Sequence, residues 1–135
     1  MKTQVFLLWQ EQEIEIDSLK ELDEWLDKLT LVAQRSFPFT VGVYFHDHNA
    51  ILFVLGLEVS HLEHFSNNES PVGIGCYYKW PQYEEFTFYH RGEISEMGNE
   101  NFVPVDLARE AVREFYLTRK RPTIIKWGFG GTILE

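Results

Sequence analysis

The fold is decided by residues 18–57, which read SLKELDEWLDKLTLVAQRSFPFTVGVYFHDHNAILFVLGL. In the first part, apolar side chains recur every three or four positions, which predicts an amphipathic helix from about Ser18 to Gln34. Ser18 stands three residues before Glu21, a spacing at which each side chain can satisfy a backbone amide of the first turn. The residues expected on the buried face are Leu19, Leu22, Leu26, Leu29 and Ala33, with Trp25 beside them.

The second part of this stretch predicts an antiparallel pair of strands. Residues Thr40 to Phe45 and Ala50 to Leu57 are rich in β-branched and aromatic side chains. Between them, Asp47, His48 and Asn49 are turn formers. The later strand is apolar on both of its faces, which favours a central position in the sheet.

A strand and its hairpin return are expected before the helix. Residues Thr3 to Trp9 carry the β-branched and aromatic side chains of a strand. Between residues 11 and 16, glutamates alternate with Ile14 and Ile16, which is typical of a strand with one buried and one exposed face.

After residue 57 the sequence predicts one more strand pair. Its members, Val72 to Trp80 and Glu85 to His90, are expected on either side of Pro81. Residues 58–70 and 92–101 are polar and lack periodicity, so loops are expected before and after the pair.

A second helix is predicted to begin near Pro104 and to end before Pro122, because proline fits the first turn of a helix but cannot continue one. Asp106 in its first turn suits the positive end of the helix dipole. A last strand, Thr123 to Trp127, and an extended or flexible tail are expected to follow. The buried stripe of this helix is expected to contain Val105, Ala108, Val112 and Phe115, flanked by Ala111 and Tyr116.

These elements predict an α+β fold in a single domain, residues 1–135. The expected architecture is a mostly antiparallel central β-sheet of about five to seven strands, with two principal helices packed on it.

Composition restricts the classes of function. The formal net charge is −9, and because nucleic-acid binding relies on clustered Lys and Arg, no nucleic-acid ligand is expected. The longest apolar stretch, Ala50 to Leu57, is far shorter than the roughly 20 residues that cross a bilayer, so no membrane partner is expected. We expect a cytoplasmic location, because the first residues lack a signal-peptide pattern and the lone Cys76 suits a reducing compartment.

The charges are unevenly distributed along the chain, which predicts two differently charged faces. An acidic surface steers association with a basic partner. The acidic residues that crowd the first thirty positions are Glu11, Glu13, Glu15, Asp17, Glu21, Asp23, Glu24 and Asp27, and the basic residues near the end are Arg109, Arg113, Arg119, Lys120, Arg121 and Lys126.

Some of the acidic residues are candidates for contact with a protein partner, and an ordinary solvated surface is the alternative interpretation. Exposed aromatic residues beside them would favour an interface, because interface anchors are enriched in Tyr and Trp. The partner-binding candidates are Glu11, Glu13, Glu15, Asp17, Glu58, Glu63, Glu93, Glu96, Trp80 and Tyr83.

The sequence contains no convincing catalytic, metal-binding or cofactor-binding set. His46 and His48 flank a turn aspartate without a third metal ligand. His61 and His64 stand three residues apart in a polar stretch that lacks apolar support for a helix. Cys76 lies in an alternating strand, where a thiol is more often a small core residue than a nucleophile. We therefore predict no enzyme activity, no metal and no cofactor.

The segment Val103 to Trp127 resembles a known family. It has a proline-initiated helix with small residues and a phenylalanine, then a turn, a second proline and a strand that ends in tryptophan. This spacing is similar to the C-terminal signature of the first immunity-protein family of bacterial polymorphic toxin systems. The matching residues, which are expected to be scaffold, are Pro104, Ala108, Ala111, Phe115, Thr118, Pro122 and Trp127.

The chain departs from the family pattern just after this helix. The family often has glycine there, whereas this chain has Arg119, Lys120 and Arg121. Without glycine, another residue must end the helix or the helix must run longer.

The resemblance implies an antidote encoded beside a secreted or contact-delivered toxin, often a deaminase or a nuclease. Its partner would be a cognate toxin domain, expected to be basic, and inhibition would be stoichiometric, by occlusion of the active site or substrate channel. Two other classes stay open, a structural subunit that forms homo-oligomers and a small ligand-binding or enzymatic α+β domain. The pocket of the latter would be lined by Tyr77, Tyr78, Trp80 and Phe88, with Cys76 or a histidine as the reactive group.

Overall fold

The fold contains two helices and a set of mostly antiparallel strands. The computed structural model describes residues 4–66, 69–73, 85–90, 92–98, 101–129 and 132–133. The helices are α1 (Leu19–Arg35) and α2 (Val105–Thr118). The strands are β1 (Val5–Trp9), β2 (Gln12–Ile16), β3 (Phe39–Phe45), β4 (Ala50–Leu55), β5 (Val59–Ser60), β6 (Glu63–Phe65), β7 (Val72–Gly73), β8 (Glu85–His90), β9 (Glu93–Gly98), β10 (Val103–Pro104), β11 (Trp127–Phe129) and β12 (Thr132–Ile133).

The antiparallel pair β3–β4 forms the centre of the main sheet. Across the described residues, the strand order is β12-β11-β7-β6-β4-β3-β1-β2. The last residue of β1, Trp9, pairs with Val41 of β3, and β8 joins β3 beyond that point through a parallel pair between Phe39 and Tyr89. The predicted α+β fold, the β3–β4 hairpin and the central position of β4 are confirmed, although this sheet has ten strands in the described residues, several of them very short.

The main core lies between the sheet and the two helices. Val41 of β3 and its partner Phe53 in β4 are fully buried on the helix side. The Phe45 ring meets Phe115 of α2 edge to face, with 5.3 Å between centroids. Removing this apolar surface from water is the main stabilising contribution to the fold. The other buried helix residues of this core are Leu22, Leu26, Leu29 and Ala33 of α1 and Ala108, Ala111 and Val112 of α2.

Helix α1 begins where the sequence predicts. The Ser18 hydroxyl accepts a hydrogen bond from the backbone N–H of Glu21 at 3.1 Å, and such a cap typically contributes about 1 kcal/mol. Leu19 is half-buried, and the other residues expected on the inner face of the helix are buried. The predicted helix and its cap are therefore confirmed.

The polar stretch 58–70 is not wholly a loop, because it contains β5 and β6. Ser60 is fully buried, and its hydroxyl accepts from the N–H and donates to the C=O of Val54, both at 2.9 Å. His64 is only 4% exposed, and its Nε2 donates to Asn49 Oδ1 at 2.8 Å. The loop prediction is wrong here because buried, hydrogen-bonded polar residues conceal the alternation of a strand.

The polar stretch 92–101 also contains a strand. The strand β9 pairs with β8 along its whole length, whereas the predicted partner, Val72 to Trp80, lies mostly outside the described residues. Only Val72 and Gly73 of that range lie among the described residues, in β7, where they pair with β6 and β11. This polar segment is extended because it pairs with β8. A local sequence pattern does not show such a distant pairing.

The strand predicted from Thr123 to Trp127 begins later, because β11 starts at Trp127, and β12 follows it where a tail was expected. The backbone N–H and the hydroxyl of Thr123 both donate to the Glu114 carboxylate, at 2.7 and 3.0 Å. These bonds hold residue 123 against α2, so its amide is not part of the sheet.

Charged residues from the two ends of the sequence meet between the helices. Arg109 of α2 pairs with Asp27 of α1 at 2.8 Å, and Arg113 pairs with Asp23 at 3.4 Å. The expected separation into two differently charged faces is therefore wrong for these arginines. Part of the acidic excess of the N-terminal region is neutralised within the fold.

Helix α2 ends at Arg119, which adopts the left-handed conformation with φ 60° and donates its N–H to Phe115 O at 2.8 Å. A non-glycine residue in this conformation costs roughly 1 kcal/mol. The guanidinium pairs with Asp47 at 3.3 Å and lies 4.8 Å from the Phe45 ring centroid, and Asn49 Nδ2 donates to the Arg119 carbonyl. The residue that stands where the resembled family often has glycine thus also ties α2 to the β3–β4 turn.

Two substitutions at Arg119 separate strain from contact. Arg119→Ala keeps the left-handed backbone and removes the guanidinium contacts, so we expect the free energy of unfolding to fall by about 1–2 kcal/mol. Arg119→Gly removes the same contacts and relieves the strain, so it should be about 1 kcal/mol more stable than the alanine variant. Urea denaturation followed by circular dichroism measures both. Equal stability of the two variants would show that the left-handed backbone at residue 119 is not strained.

The buried ring of His64 makes the free energy of unfolding depend on pH. Burial lowers the pKa of His64 to about 4, and the charge of Arg121 acts in the same direction. The unfolded chain binds this proton near pH 6.5, so the stability contributed by neutral His64 is present above that pH and is lost as the pH falls towards 4. In thermal unfolding, His64→Gln should lose less stability between pH 7 and about 4.5 than the unsubstituted chain does. An unchanged pH dependence would contradict this assignment.

Candidate functional site

One face of the main sheet carries no helix in the described part of the chain. Both helices pack on the side of β1, β3 and β4 that carries Leu7, Val43 and Ile51, and alternate residues of each strand project the other way. We call this surface the helix-free face. It is formed by Phe6, Leu8, Glu13, Glu15, Gly42, Tyr44, Ala50, Leu52, Glu63 and Phe65.

The strand register aligns these residues in two rows across β2, β1, β3, β4 and β6. The two margins of the face carry carboxylates, and its centre is apolar and aromatic and mostly half-buried. The face therefore combines an apolar centre with acidic margins. One row consists of Glu15, Phe6, Tyr44, Ala50 and Phe65, and the other of Glu13, Leu8, Gly42, Leu52 and Glu63.

The aromatic centre is held by contacts within the face. The Phe6 ring stacks on Tyr44, with 5.4 Å between centroids, and meets His46 edge to face at 5.0 Å. The phenol of Tyr44 is hydrogen-bonded to the Glu13 carboxylate. Burial raises the pKa of Tyr44 to about 12, with further contributions from the hydrogen bond and the charge of Glu13. At neutral pH the phenol is therefore protonated beside this carboxylate.

In the second row, the absence of a side chain at Gly42 leaves room for the side chain of Leu52. A Cβ at this position would lie 2.8 Å from Leu52 Cδ2. The missing side chain lets the Leu52 side chain lie across β3, next to Leu8.

A cleft of about 220 Å³ adjoins the helix-free face where the β8–β9 pair meets β3 and β4. Phe88 of β8 is buried against Val54 of β4. Nδ1 of His90 in β8 lies 3.3 Å from Thr40 Oγ1 in β3. The other residues that line the cleft are Leu52, His61, Glu63, Ser95 and Glu96.

The structure brings together some of the residues predicted to contact a partner. Glu13, Glu15 and Glu63 lie on the helix-free face, and Glu63 and Glu96 line the cleft. Their contact with a partner stays a prediction. Of the other candidates, Glu11, Asp17, Glu58 and Glu93 are exposed outside these two surfaces, and Trp80 and Tyr83 lie outside the described residues.

The residues of the C-terminal motif lie in α2 or next to it, on the helix side of the sheet rather than on the helix-free face. Trp127 is buried, and its indole N–H donates to the Pro122 carbonyl at 2.8 Å. Ala108, Ala111 and Phe115 are buried in the main core. Pro104, in β10, directly precedes α2.

The sequence alone does not single out the aromatic centre, and it does not pair His61 with His90 in a cleft. Phe6 and Tyr44 are apolar or amphipathic residues in alternating strands, where sequence alone assigns them to a core. The alternation of side chains along a strand could have identified them, because it puts Tyr44 on the face opposite Val43. His61 and His90 are distant in sequence and are brought together only by the β8–β9 pair.

The histidines do not assemble a metal centre in the described residues. No group of three or more His, Cys, Asp or Glu side chains there has a suitable arrangement. His46 is hydrogen-bonded to Gln4. His61 lines the cleft, whereas His64 packs against the helix side, so the two rings do not converge. Cys76 lies outside the described residues.

Comparison with known proteins gives one informative result. The model of a family described as immunity protein Imm1 matches residues 10–128. The match includes the C-terminal segment, so the resemblance noted there is confirmed. No curated protein matches the chain. Neither helix of the described residues has the length and apolar character that crossing a bilayer requires.

The link between Glu13 and Tyr44 can be measured by titration. Glu13→Gln removes the charge beside the phenol, so the pKa of Tyr44 should fall from about 12 towards its ordinary value of 10. NMR of ring-labelled tyrosine measures the shift, and Tyr44→Phe identifies the resonance. Because the folded pKa lies above the unfolded one, the stability from neutral Tyr44 is present below pH 10 and is lost as the pH rises towards 12. An unchanged Tyr44 pKa in Glu13→Gln would contradict the contact.

Proposed function

The chain belongs to the Imm1 immunity-protein family, and from this premise we propose that it binds and neutralises a cognate bacterial toxin domain. The proposed inhibition is stoichiometric and occludes the active site of a toxin of deaminase or nuclease type. In this proposal the chain acts in the cytoplasm of the producing cell and catalyses no reaction itself.

The observation that supports a binding function best is the composition of the helix-free face. Phe6 and Tyr44 supply adjacent aromatic rings at its centre, and Tyr is among the residues that dominate interface energetics. Glu13 and Glu15 at its margin bear the charge that a basic surface would meet. An apolar centre with a charged margin is the usual arrangement of a protein interface.

The acidic margin also gives a physical reason for the choice of partner. A toxin that acts on nucleic acid must attract phosphate groups, so its substrate channel carries positive potential. The net charge of −9 on this chain steers association with such a channel. Once bound, the carboxylates of the chain would compete with the anionic substrate for the channel. Acidic residues on a rim raise the association rate more than they raise the affinity.

A small-ligand function is less well supported. The cleft of about 220 Å³ is smaller than the roughly 300–1,000 Å³ of typical small-molecule sites. Of the residues expected to line such a pocket, Phe88 lines the cleft, and Tyr77, Tyr78 and Trp80 lie outside the described residues.

Co-expression tests the function directly. We expect the chain to restore growth to cells that produce the toxin domain encoded beside it, and to copurify with that domain as a stable complex. Continued killing together with the absence of a complex would refute the proposal.

A charge reversal on the helix-free face tests where the toxin binds. Glu15 is exposed next to Phe6, so Glu15→Lys should lower the association rate with the toxin domain by about tenfold at low salt, and less at high salt. Glu24→Lys makes the same charge change on the exposed side of α1 and is the matched control. Equal association rates for the two variants would place the contact on another surface.

A further inference from the structure

Strand β2 lies at one end of the main sheet. It pairs with β1 and with no other strand in the described part of the chain. The β1–β2 pair is regular over five residues, from Trp9↔Gln12 to Val5↔Ile16, without a bulge or a proline. The outer edge of such a strand carries backbone N–H and C=O groups to which another strand can bind.

The register of the β1–β2 hairpin determines which backbone groups point away from β1. Trp9 and Gln12 flank a two-residue turn, so they form the hydrogen-bonded pair that closes the hairpin. Hydrogen-bonded and non-hydrogen-bonded pairs alternate along an antiparallel ladder. The even-numbered residues of β2 therefore bond to β1, whereas the N–H and C=O groups of Glu13 and Glu15 point outward. Among the described residues, no strand and no loop backbone bonds to these outward groups.

The side chains along this edge alternate in chemistry. Glu13 and Glu15 are exposed on the helix-free face, whereas Ile14 is half-buried on the helix side. The Glu13 carboxylate is already hydrogen-bonded to the Tyr44 phenol. Within the described residues, no ion pair or side-chain hydrogen bond engages Glu15. A strand that complements this edge would therefore alternate lysine or arginine with apolar residues.

We propose that β2 accepts an extended basic segment of the toxin as an additional strand of the main sheet, and this inference rests on the proposed function. The backbone of that segment would exchange hydrogen bonds with Glu13 and Glu15. Its lysine or arginine side chains would lie opposite the two carboxylates, on the helix-free face. Its apolar side chains would lie beside Ile14 on the other side of the sheet. The added strand would thus hold the toxin next to the helix-free face.

A second copy of the chain fits this edge poorly. Two β2 strands that paired through their outward groups would place Glu13 and Glu15 directly opposite acidic residues of the other copy. Like charges at directly opposite positions destabilise a strand pair. The net charge of −9 adds repulsion between two copies. The carboxylates therefore oppose self-association of this edge, and a basic strand removes that repulsion.

Amide hydrogen exchange tests the inference at the level of single residues. It is followed by NMR on the isotope-labelled chain, with and without the toxin domain encoded beside it. In the complex, exchange of the Glu13 and Glu15 amides should slow by at least about tenfold, because each amide would donate to the added strand. The amide of Ile133 is the control, because it also points outward by the same alternation, but at the opposite end of the sheet order. Its exchange rate should change by less than about twofold.

Two substitutions at Glu15 separate the backbone contact from the charge. Glu15→Gln removes the charge and keeps the outward N–H. Glu15→Pro removes both, and proline is tolerated on an edge strand where the N–H faces water. By isothermal titration calorimetry with the same toxin domain, we expect the Kd to rise about threefold in Glu15→Gln and at least about tenfold further in Glu15→Pro. Thermal unfolding shows whether each variant is folded, and hydrogen exchange on the unsubstituted chain is decisive if Glu15→Pro does not fold.

The outcomes separate this inference from the proposed function. Tight binding without slower exchange at Glu13 and Glu15 would overturn the added strand and leave the proposed function in place. Equal Kd values for folded Glu15→Gln and Glu15→Pro would overturn it as well, because the backbone would then contribute nothing. Slower exchange at these amides on concentrating the chain alone would assign the edge to a second copy. An unsubstituted chain that does not bind the toxin domain would overturn both proposals.

Discussion

The packing of alternate β3 and β4 residues against the helices is the constraint on which the rest of the molecule depends. Val41, Val43, Ile51 and Phe53 are fully buried, because they lie under α1 and α2. The side chains of a strand alternate with a period of two. Once these residues face the helices, their neighbours must face the opposite side of the sheet. The burial that stabilises the fold therefore also creates the helix-free face.

The acidic residues of the N-terminal region form two groups with different surroundings. Asp23 and Asp27 of α1 pair with arginines of α2 and help to hold the helices together. Glu13 and Glu15, only a few positions earlier in the sequence, lie at the margin of the helix-free face. The difference comes from the elements that carry them, since α1 packs beside α2 and β2 is at the end of the sheet order. Net charge alone does not distinguish these two groups.

The proposed binding surface and the cleft beside it depend on the same architecture. The β8–β9 pair approaches β3 where β1 ends, so the sheet face changes there from a shallow apolar surface to a cleft. A partner on the helix-free face would have Phe6 and Tyr44 at its centre and the cleft at its edge. At the other end of β3, Arg119 ties α2 to the β3–β4 turn and so keeps the supporting helix in place.

The sequence by itself determined the local elements that follow from regular periodicity. It determined the α1 helix with its Ser18 cap, the β3–β4 hairpin, the α+β class and the family, because each depends on spacing within a short segment. The tertiary structure decided what depends on distant partners. Ser60 and His64 are buried because Val54 and Asn49 satisfy their polar atoms, and residues 93–98 are extended because β8 pairs with them. The cleft likewise exists only because residues that are far apart in the sequence meet there.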